Sequence, residues 1–573
     1  MQIADWTVLI AYLVGTVLLG VVLGRLVKNS SDMFSAGGTS PWWASGLSAF
    51  MTMFSANTFV VWGSIAFDVG MVAVMINLMY GVAALLIGVF VAGRWKGMGI
   101  ETPAEYVRLR FGKGALHFYT WSMMVLRVVG TAAALYALAK ILVALMPLDE
   151  GNILRDPETG NLSLRWAILI FGSVVVLYTM IGGLWAVLMT DVLQFIILNL
   201  AVLFVVPLAL HQVGGLGGFI EAAPEGFFDL VKEEKYSVFF LAGWAAIHFF
   251  MIGAEWAFVQ RFLCVPTKKD ARKSTFLFGA LYLCSPLLWL LPPMIYRVSN
   301  PGADAEQAYI LACQSVLPIG MVGLMLAAMF SATASMVSSQ LNVFSGVLTN
   351  DIYKPLAKAS TAKSLLRAGR VFTILLGVLL IGIALQIEKL GQVKDLIISI
   401  TELMVVPLLA PSLWGVFSRK ISGRAVWITG LSGFGLGVVI RFGFGAEGFL
   451  SGVDSLGSIN AWVIAHANFL KTFVGVIFPV ALLAILEFTS RGEDAGWKTI
   501  AALTRKEDEA EAAHAVQSNP MAAKVVAVCL AVCGAMLLSL ILVNETSHGI
   551  LAAFGGILFL LAAVIYYKVR RAV

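Results

Sequence analysis

The sequence contains few charged residues, which make up 13% of its 573 positions. Soluble domains carry about 25% charged residues, so a chain of this length could not cover a water-exposed surface with so few. Hydrophobic residues reach 60%, which also excludes a disordered chain. A membrane protein is the remaining class. Its apolar stretches are long enough for the roughly 20 residues of a spanning helix, which favours helices over the short alternating strands of a β-barrel.

The sequence also lacks metal-binding and redox patterns. Its five cysteines have no zinc-site or redox spacing, and its six histidines are scattered over separate segments. A membrane enzyme would need clustered metal ligands, or a nucleophile beside its base. We therefore expect neither enzymatic activity nor an organic cofactor.

The apolar runs predict an all-α polytopic membrane protein with about fifteen transmembrane helices. The first run lacks the basic segment and cleavage site of a signal peptide, so we expect it to be retained. The runs lie near residues 5–26, 43–67, 71–95, 116–146, 166–182, 185–208, 238–259, 275–297, 309–345, 369–387, 394–417, 424–443, 469–488, 523–543 and 548–567.

Basic residues predict the orientation of these helices, because cytoplasmic loops carry an excess of Lys and Arg. They cluster after the first, third, seventh, ninth and eleventh runs and at the end of the chain, all on one side if the spans alternate. This pattern predicts a cell (inner or plasma) membrane protein with its N-terminus outside and its C-terminus in the cytoplasm. It also accounts for the net charge of +6 without a nucleic-acid partner. The polar segment 490–521, with its acidic run 507–511, predicts a solvated helix or flexible linker.

Two features within the spans point to cation chemistry. Ser335, Ser338 and Ser339 share one helical face, where they either bond the carbonyls of their own helix or offer several oxygens to a hard cation. Asp191 lies inside an apolar run. A buried carboxylate costs several kcal/mol unless it is paired, so Asp191 marks an ion pathway or a partner.

Other polar residues within the spans have both structural and functional interpretations. Arg127 is either a structural partner of a carboxylate on another helix or a counter-charge for an anionic substrate. Glu255 lies six residues before Arg261, and we expect these two to pair near the inner face. His248 is either a hydrogen-bonded core residue or a ligand or proton relay. Glu402 joins Arg127 and Glu255 as a possible gating or charge partner.

Several motifs together carry a resemblance to a known family. They lie at 35–43, 102–107 with 110–111, 182–187 with 190–194, 260–261 and 332–353. Through them the stretch from about Asp32 to Arg424 resembles the sodium/solute symporter family, which contains sodium-coupled sugar, proline, sialic acid and iodide transporters. The resemblance implies a LeuT-like core of two inverted five-helix repeats, with core helices 1 and 6 broken at the membrane midplane. Such breaks expose carbonyls and helix ends to ligands.

The resemblance also implies a division of the chain. An extra transmembrane helix occupies 1–38, the first repeat 39–208 and the second, inverted repeat 209–418. Accessory C-terminal helices occupy 419–573, with a cytoplasmic linker at 490–521. We expect the helix breaks at the polar run 55–58 and at Gly253.

The resemblance assigns two sets of residues to sodium. One set consists of the carbonyls of Met51, Phe54 and Ala332 and the hydroxyl of Ser335. Its last position, where the family has a second hydroxyl, is Met336. Because a thioether is a poor ligand for a hard cation, we expect that site to be weakened. The other set retains all of its oxygens, and we expect sodium to bind preferentially there: Asp191, Ser335, Ser338 and Ser339.

The solute positions of the sugar transporters correspond here to a mostly neutral, hydrogen-bonding and aromatic set. Most differ in residue type from the sugar-binding residues, so sugar specificity does not follow from the resemblance. The set suits a small polar solute such as a sugar, polyol, amino acid or carboxylate. Its members are Thr58, Asn77, Tyr80, His248, Met251, Tyr282 and Ser399.

These observations predict a secondary active transporter that couples the uptake of a small polar organic solute to sodium by alternating access. Its partners are then the solute, the sodium ion and the lipid bilayer. Met336 and His248 motivate a proton-coupled or sodium-independent carrier as the alternative. An ion channel is less well supported, because the sequence shows no selectivity-filter motif.

Overall fold

A computed structural model describes most of the chain. The described residues are 3–55, 58–232, 236–318, 320–357, 361–387, 389, 405–444, 448–450, 452–513, 520–539, 541 and 548–572. Within these ranges the chain is helical and contains no β-strand, only three isolated bridges in loops.

The first part of the chain, up to the predicted repeat boundary, forms nine helices of very different length. The longest, α9, contains a kink at Gly183. The helices are α1 Ile3–Gly24, α2 Ser30–Ser35, α3 Trp42–Met53, α4 Gly63–Val69, α5 Met71–Phe90, α6 Ala92–Gly97, α7 Pro103–Phe111, α8 Lys113–Ala144 and α9 Leu164–Gln212.

The described residues of the second part form sixteen further helices. They are α10 Gly215–Ala222, α11 Val238–Ala254, α12 Trp256–Leu263, α13 Lys268–Ser299, α14 Ala308–Val316, α15 Met321–Val347, α16 Lys354–Leu356, α17 Ala362–Ala384, α18 Val405–Gly415, α19 Gly423–Val438, α20 Gly457–Ala465, α21 Ala467–Thr472, α22 Phe478–Thr489, α23 Ala495–Ala513, α24 Pro520–Ser539 and α25 His548–Ala572.

Seven of the described helical segments are long and apolar enough to cross a membrane. The number rises to nine if each of two bent helix pairs is counted as one span. Three shorter apolar segments lie at Val405–Gly415, Phe473–Thr489 and Leu551–Tyr567. The chain is therefore a multi-pass helical membrane protein. The count of about fifteen helices stays a prediction.

The kink in α9 separates two of the predicted spans. Gly183 has φ 53° and ψ −146°, a backbone conformation that only glycine adopts readily. A Cβ at this position would also lie 2.6 Å from the Met33 carbonyl oxygen. The two apolar runs 166–182 and 185–208 thus form one 49-residue helix with a glycine break between them.

The two bent pairs lie close to the predicted breaks. α3 and the segment Thr58–Val69, a π-helical turn followed by α4, meet at 67° across the polar run 55–58. α11 and α12 meet at 55°. Their break lies at Glu255, which is extended (φ −67°, ψ 133°), rather than at Gly253. Gly253 is still helical and allows close packing instead, because a Cβ there would lie 2.7 Å from Ile87 Cδ1.

Helix α15 is the centre of the packing. It contacts α9, α1, α8, α17 and α3, and nearly all of its side chains are buried. Hydroxyl and amide side chains are therefore carried into the interior of the bundle. The acidic run 507–511 forms part of α23, so of the two expected alternatives it is a helix, and that helix packs against α6 and α7.

Candidate ion and solute site

Asp191 lies in α9 and is fully buried. Ser48 of α3 donates a hydrogen bond to its Oδ2 atom, and Arg261 Nη2 of α12 lies 3.8 Å from the same oxygen. Its other oxygen, Oδ1, makes no hydrogen bond with any described residue. A buried carboxylate with one uncommitted oxygen is an acceptor for a cation.

Arg261 is the charge partner of Asp191, and both side chains are 0% exposed. Its Nε donates to Ser48 Oγ at 3.1 Å and its Nη2 to Ser339 Oγ at 2.5 Å. The expected pair of Arg261 with Glu255 is therefore wrong. Side chains six residues apart on a helix do not share a face, whereas those three or four apart do.

Two of the three predicted serines of α15 contact this ion pair, Ser335 beside Asp191 and Ser339 at Arg261. Ser335, Ser338 and Ser339 are all 0% exposed. The Ser335 hydroxyl lies next to the Asp191 carboxylate but makes no well-aligned hydrogen bond with a described residue, and Ser338 Oγ donates to the Ser335 carbonyl at 3.0 Å. Asp191 is thus next to Ser335 and Arg261, Arg261 bonds Ser339, and the Ser338 hydroxyl bonds its own helix, so the second sodium set stays a prediction.

Gln194 adds polar atoms that were not predicted from the sequence. It lies one turn after Asp191 on α9 and is 0% exposed, yet neither its Oε1 nor its Nε2 makes a hydrogen bond with a described residue. Such a buried, unsatisfied amide is costly unless a ligand or water completes it. Its position three residues after Asp191 places both side chains on one face of α9, and this spacing could have identified Gln194 from the sequence.

The first predicted sodium set surrounds the end of α3. Phe54 caps that helix in an extended conformation (φ −86°, ψ 136°), so the chain leaves the helix at the residues whose carbonyls the resemblance assigns to sodium. The Met51 carbonyl accepts a bond from Phe54 N at 3.1 Å. Ala332 is buried in α15, and Met336 is half-buried one turn further on.

Three of the predicted solute residues form one aromatic cluster. The Tyr80 ring lies 4.2 Å from the His248 ring and 5.3 Å from the Tyr282 ring, measured between centroids. Trp244, which was not predicted from the sequence, lies 4.7 Å from His248. It precedes His248 by four residues, and this spacing places both on one face of α11. Trp62 closes the cluster at 5.7 Å from Trp244.

Two polar side chains at the predicted solute positions bond to carbonyls of their own helices. Asn77 Nδ2 donates to the Ala73 carbonyl of its own helix at 2.9 Å, and His248 Nδ1 bonds to the Trp244 carbonyl at 2.8 Å. Thr58 is buried next to the break after α3, and Met251 is half-buried. Ser399, like the charge candidate Glu402, lies outside the described residues.

A second buried ion pair holds the break between α11 and α12. Arg127 Nη2 of α8 lies 3.0 Å from Glu255 Oε2, and Gln340 of α15 donates to Glu255 Oε1 at 2.8 Å. Trp95 Nε1 donates to the Gly253 carbonyl at 2.8 Å. Three helices therefore fix the backbone at the break, and the charge of Arg127 is matched within the protein.

Comparison with known proteins connects this arrangement to transport. Residues 33–433 match the model of the sodium:solute symporter family. The sodium/sialic acid symporter NanT of Aliivibrio fischeri is 26% identical over 451 residues, which cover 74% of this chain and 84% of that protein. Sodium/glucose cotransporter 1 of Ovis aries is 26% identical over 539 residues, 85% of this chain and 79% of that protein.

A solved structure shares the fold. It is a substrate-bound, outward-open Na⁺-coupled sialic acid symporter, with a TM-score of 0.68, 21% identity and coverage of 84% of this chain and 98% of that one. The relatives are named as symporters and cotransporters, so the chain is a transporter rather than an enzyme. With the family match covering most of its length, this chain belongs to the sodium:solute symporter family.

Proposed function

We propose that this protein is a sodium-coupled symporter that carries a small polar organic solute by alternating access. The observation that carries the proposal is the fully buried Asp191 carboxylate, whose Oδ1 makes no well-aligned hydrogen bond with a described residue and beside which the Ser335 hydroxyl lies. Sodium, a hard cation, prefers oxygen ligands of this kind. The sodium-coupled relatives support the same ion as the coupling partner.

Sodium binds preferentially at Asp191, Ser335, Ser338 and Ser339. The set at Met51, Phe54 and Ala332 shares Ser335 but has the Met336 thioether where a further oxygen is expected. Because sulfur is a weak ligand for sodium, the carboxylate site dominates.

Arg261 and sodium are alternative counter-charges for Asp191. A buried carboxylate without a partner is strongly unfavourable, so the guanidinium stabilises the ion-free state. A sodium ion beside Oδ1 repels the guanidinium and takes over Ser339, the hydroxyl that Arg261 now holds. Since Arg261 lies on α12, ion binding is transmitted to the inner half of the broken helix.

The solute binds beside the Tyr80, His248 and Tyr282 cluster, with Thr58, Asn77, Met251 and Ser399 as further contacts. Rings with polar tips suit sugars, polyols and other small polar solutes, including amino acids and carboxylates. Because Glu255 already neutralises Arg127, the site favours a neutral or zwitterionic solute over a simple carboxylate. The Arg127–Glu255 pair gates the break of the helix, and Glu402 is a further charge candidate.

The proposed architecture surrounds this site with two inverted repeats. The repeats occupy 39–208 and 209–418, flanked by the helix at 1–38 and the accessory segment 419–573, for about fifteen transmembrane helices. The protein lies in the cell (inner or plasma) membrane with its N-terminus outside and its C-terminus in the cytoplasm.

Uptake in proteoliposomes tests the function. A panel of radiolabelled sugars, amino acids and carboxylates is offered at fixed pH with sodium or with choline. Sodium-dependent, saturable uptake of one solute class is expected. Sodium-independent uptake driven by a pH gradient would replace the proposal with proton coupling, and conductance without saturable uptake would indicate a channel. Wild-type sodium dependence in both Asp191→Asn and Ser338→Ala would contradict the assigned site.

A further inference from the structure

Helix α23 docks through one face onto the ends of the neighbouring helices. Ile500 is 3% exposed and Glu507 and Glu511 are half-buried, whereas Glu509 is exposed. The approach is close, because a Cβ on Gly496 would lie 2.0 Å from the Arg110 carbonyl oxygen. Glu507 and Glu511 thus face the protein and Glu509 faces away, while Asp508 is exposed but pairs with Lys268.

The first end of α23 is firmly anchored. Arg110 of α7 is fully buried and donates from Nη1 to Asp494 Oδ2 at 2.7 Å, while its Nη2 donates to the Ser418 carbonyl at 3.0 Å. Asp494 Oδ2 also accepts from Gly496 N at 2.9 Å and so caps the helix. A hydrogen bond between a buried arginine and a carboxylate is charge-assisted and therefore stronger than a bond between neutral groups.

The second end of α23 holds the start of α13. Lys268, the first residue of α13, forms an ion pair with Asp508. Its backbone N–H donates to Glu511 Oε1 at 3.3 Å, which places a carboxylate at a helix N-terminus, where it is electrostatically favoured. Glu507 and Glu511 also attract Lys96, whose Nζ donates to the Leu263 carbonyl at the end of α12.

Helix α12 closes one side of the Asp191 site. Besides the contacts of Arg261, Gln260 Nε2 donates to the Phe34 carbonyl at 2.6 Å and to Asn342 Oδ1 of α15 at 2.9 Å. An ion leaving Asp191 on this side requires α12 to separate from α15. Only four residues, 264–267, join α12 to α13, so such a movement displaces Lys268.

We propose that α23 is a latch that holds α12 closed. Its Asp494 end is fixed to Arg110, and its acidic end restrains Lys268, which moves with α12, and Lys96 of α6, which bonds the end of α12. Opening of the inner side requires the contacts of Asp508 and Glu511 with Lys268 to break. The latch thus sets the fraction of time for which the Asp191 site is open on that side, and screening of its charges releases it.

Native Cys264 reports the opening. It follows α12 directly and is 0% exposed, so a water-soluble maleimide reaches it only when α12 moves. The experiment uses the full chain with Cys284, Cys313, Cys529 and Cys533 replaced by alanine. Glu511→Gln and the double variant Asp508→Asn/Glu511→Gln are compared with Glu509→Gln, which removes the same charge from the exposed face of the same helix.

The double variant is expected to label Cys264 about two- to fivefold faster, in keeping with the modest strength of partly exposed ion pairs, and Glu511→Gln is expected to lie between it and wild type. Glu509→Gln should label at the wild-type rate. Raising the ionic strength to about 0.5 M should accelerate wild type but not the double variant.

Equal labelling rates in wild type and the double variant, or an equal effect of Glu509→Gln, would overturn the latch. Labelling requires neither sodium nor solute. A failure of sodium-coupled uptake with a faster-labelling double variant would therefore refute the proposed function and leave the latch standing.

Discussion

Two arginine–carboxylate pairs involve the α11–α12 break, one at the break through Glu255 and one on α12 through Arg261, and they differ in how completely the carboxylate is used. Glu255 receives Arg127 at 3.0 Å and Gln340 at 2.8 Å, so both of its oxygens are engaged. Asp191 has Arg261 at 3.8 Å and Ser48 on one oxygen, and its other oxygen is uncommitted. Arg127 Nε and Nη2 make no well-aligned hydrogen bond with a described residue, so the name saturated pair refers to the Glu255 carboxylate alone. The carboxylate with two engaged oxygens holds a backbone break, whereas the unsaturated one leaves room for an exchangeable cation.

The largest expected effect comes from removing the saturated pair's carboxylate. Glu255→Gln leaves the half-buried Arg127 without a counter-charge, which should lower the free energy of unfolding by about 3 kcal/mol. Since neither residue belongs to the proposed sodium site, the loss should be the same with and without sodium. Denaturant unfolding in detergent measures it, and the Arg127→Gln/Glu255→Gln double variant should recover part of the loss. A loss that appears only in sodium would place Glu255 in the ion site.

A smaller effect of opposite sign is expected at Gln194. Replacing its unsatisfied amide with the apolar Gln194→Met should raise the thermal stability of the sodium-free protein, by roughly 1 kcal/mol, and reduce the extra stability that sodium gives. Asn199→Leu is the matched control on the same helix, because both ends of the Asn199 amide are bonded, to Phe195 and Trp289. It should destabilise the protein without changing the response to sodium. Destabilisation by Gln194→Met in the absence of sodium would show that its amide is satisfied.

The smallest effect concerns a single hydroxyl of the unsaturated site. Ser338→Ala removes one hydroxyl of the proposed sodium set and should weaken apparent sodium affinity about fivefold, the equivalent of about 1 kcal/mol. Ser345→Ala is the control, since the Ser345 hydroxyl, seven residues along α15, bonds only carbonyls of its own helix. Sodium titration of uptake compares the two. Equal shifts in both variants would mean that the serines act through the packing of α15.

Much of the unsaturated site was predictable from sequence, and the saturated pair was not. Asp191 was identifiable because a carboxylate is costly in an apolar run, and the α15 serines because their spacing places them on one helical face. The polar run 55–58 and Gly253 also located both breaks to within a few residues. Arg127 and Glu255 lie 128 positions apart, and no local pattern links residues that far apart.

Two further sets of contacts were not predictable for the same physical reason. Glu255 was expected to pair with nearby Arg261, yet each turns to a residue on a distant helix. The acidic run 507–511 was expected to form a solvated helix or a flexible linker, and it forms a helix whose Glu507 and Glu511 are half-buried. Its docking depends on Lys268 and Lys96, which come close only after the chain has folded. Tertiary partners of charged side chains therefore have to be read from the structure.

The central claim, that sodium and Arg261 are alternative counter-charges for Asp191, is tested most directly by sodium-dependent thermal unfolding of three proteins. Saturating sodium should raise the unfolding temperature of wild type and of Glu255→Gln by the same amount, since ligand binding to the folded state stabilises it. It should leave Asp191→Asn unchanged, with potassium as the ionic-strength control for all three. A wild-type sodium shift in Asp191→Asn would contradict the claim.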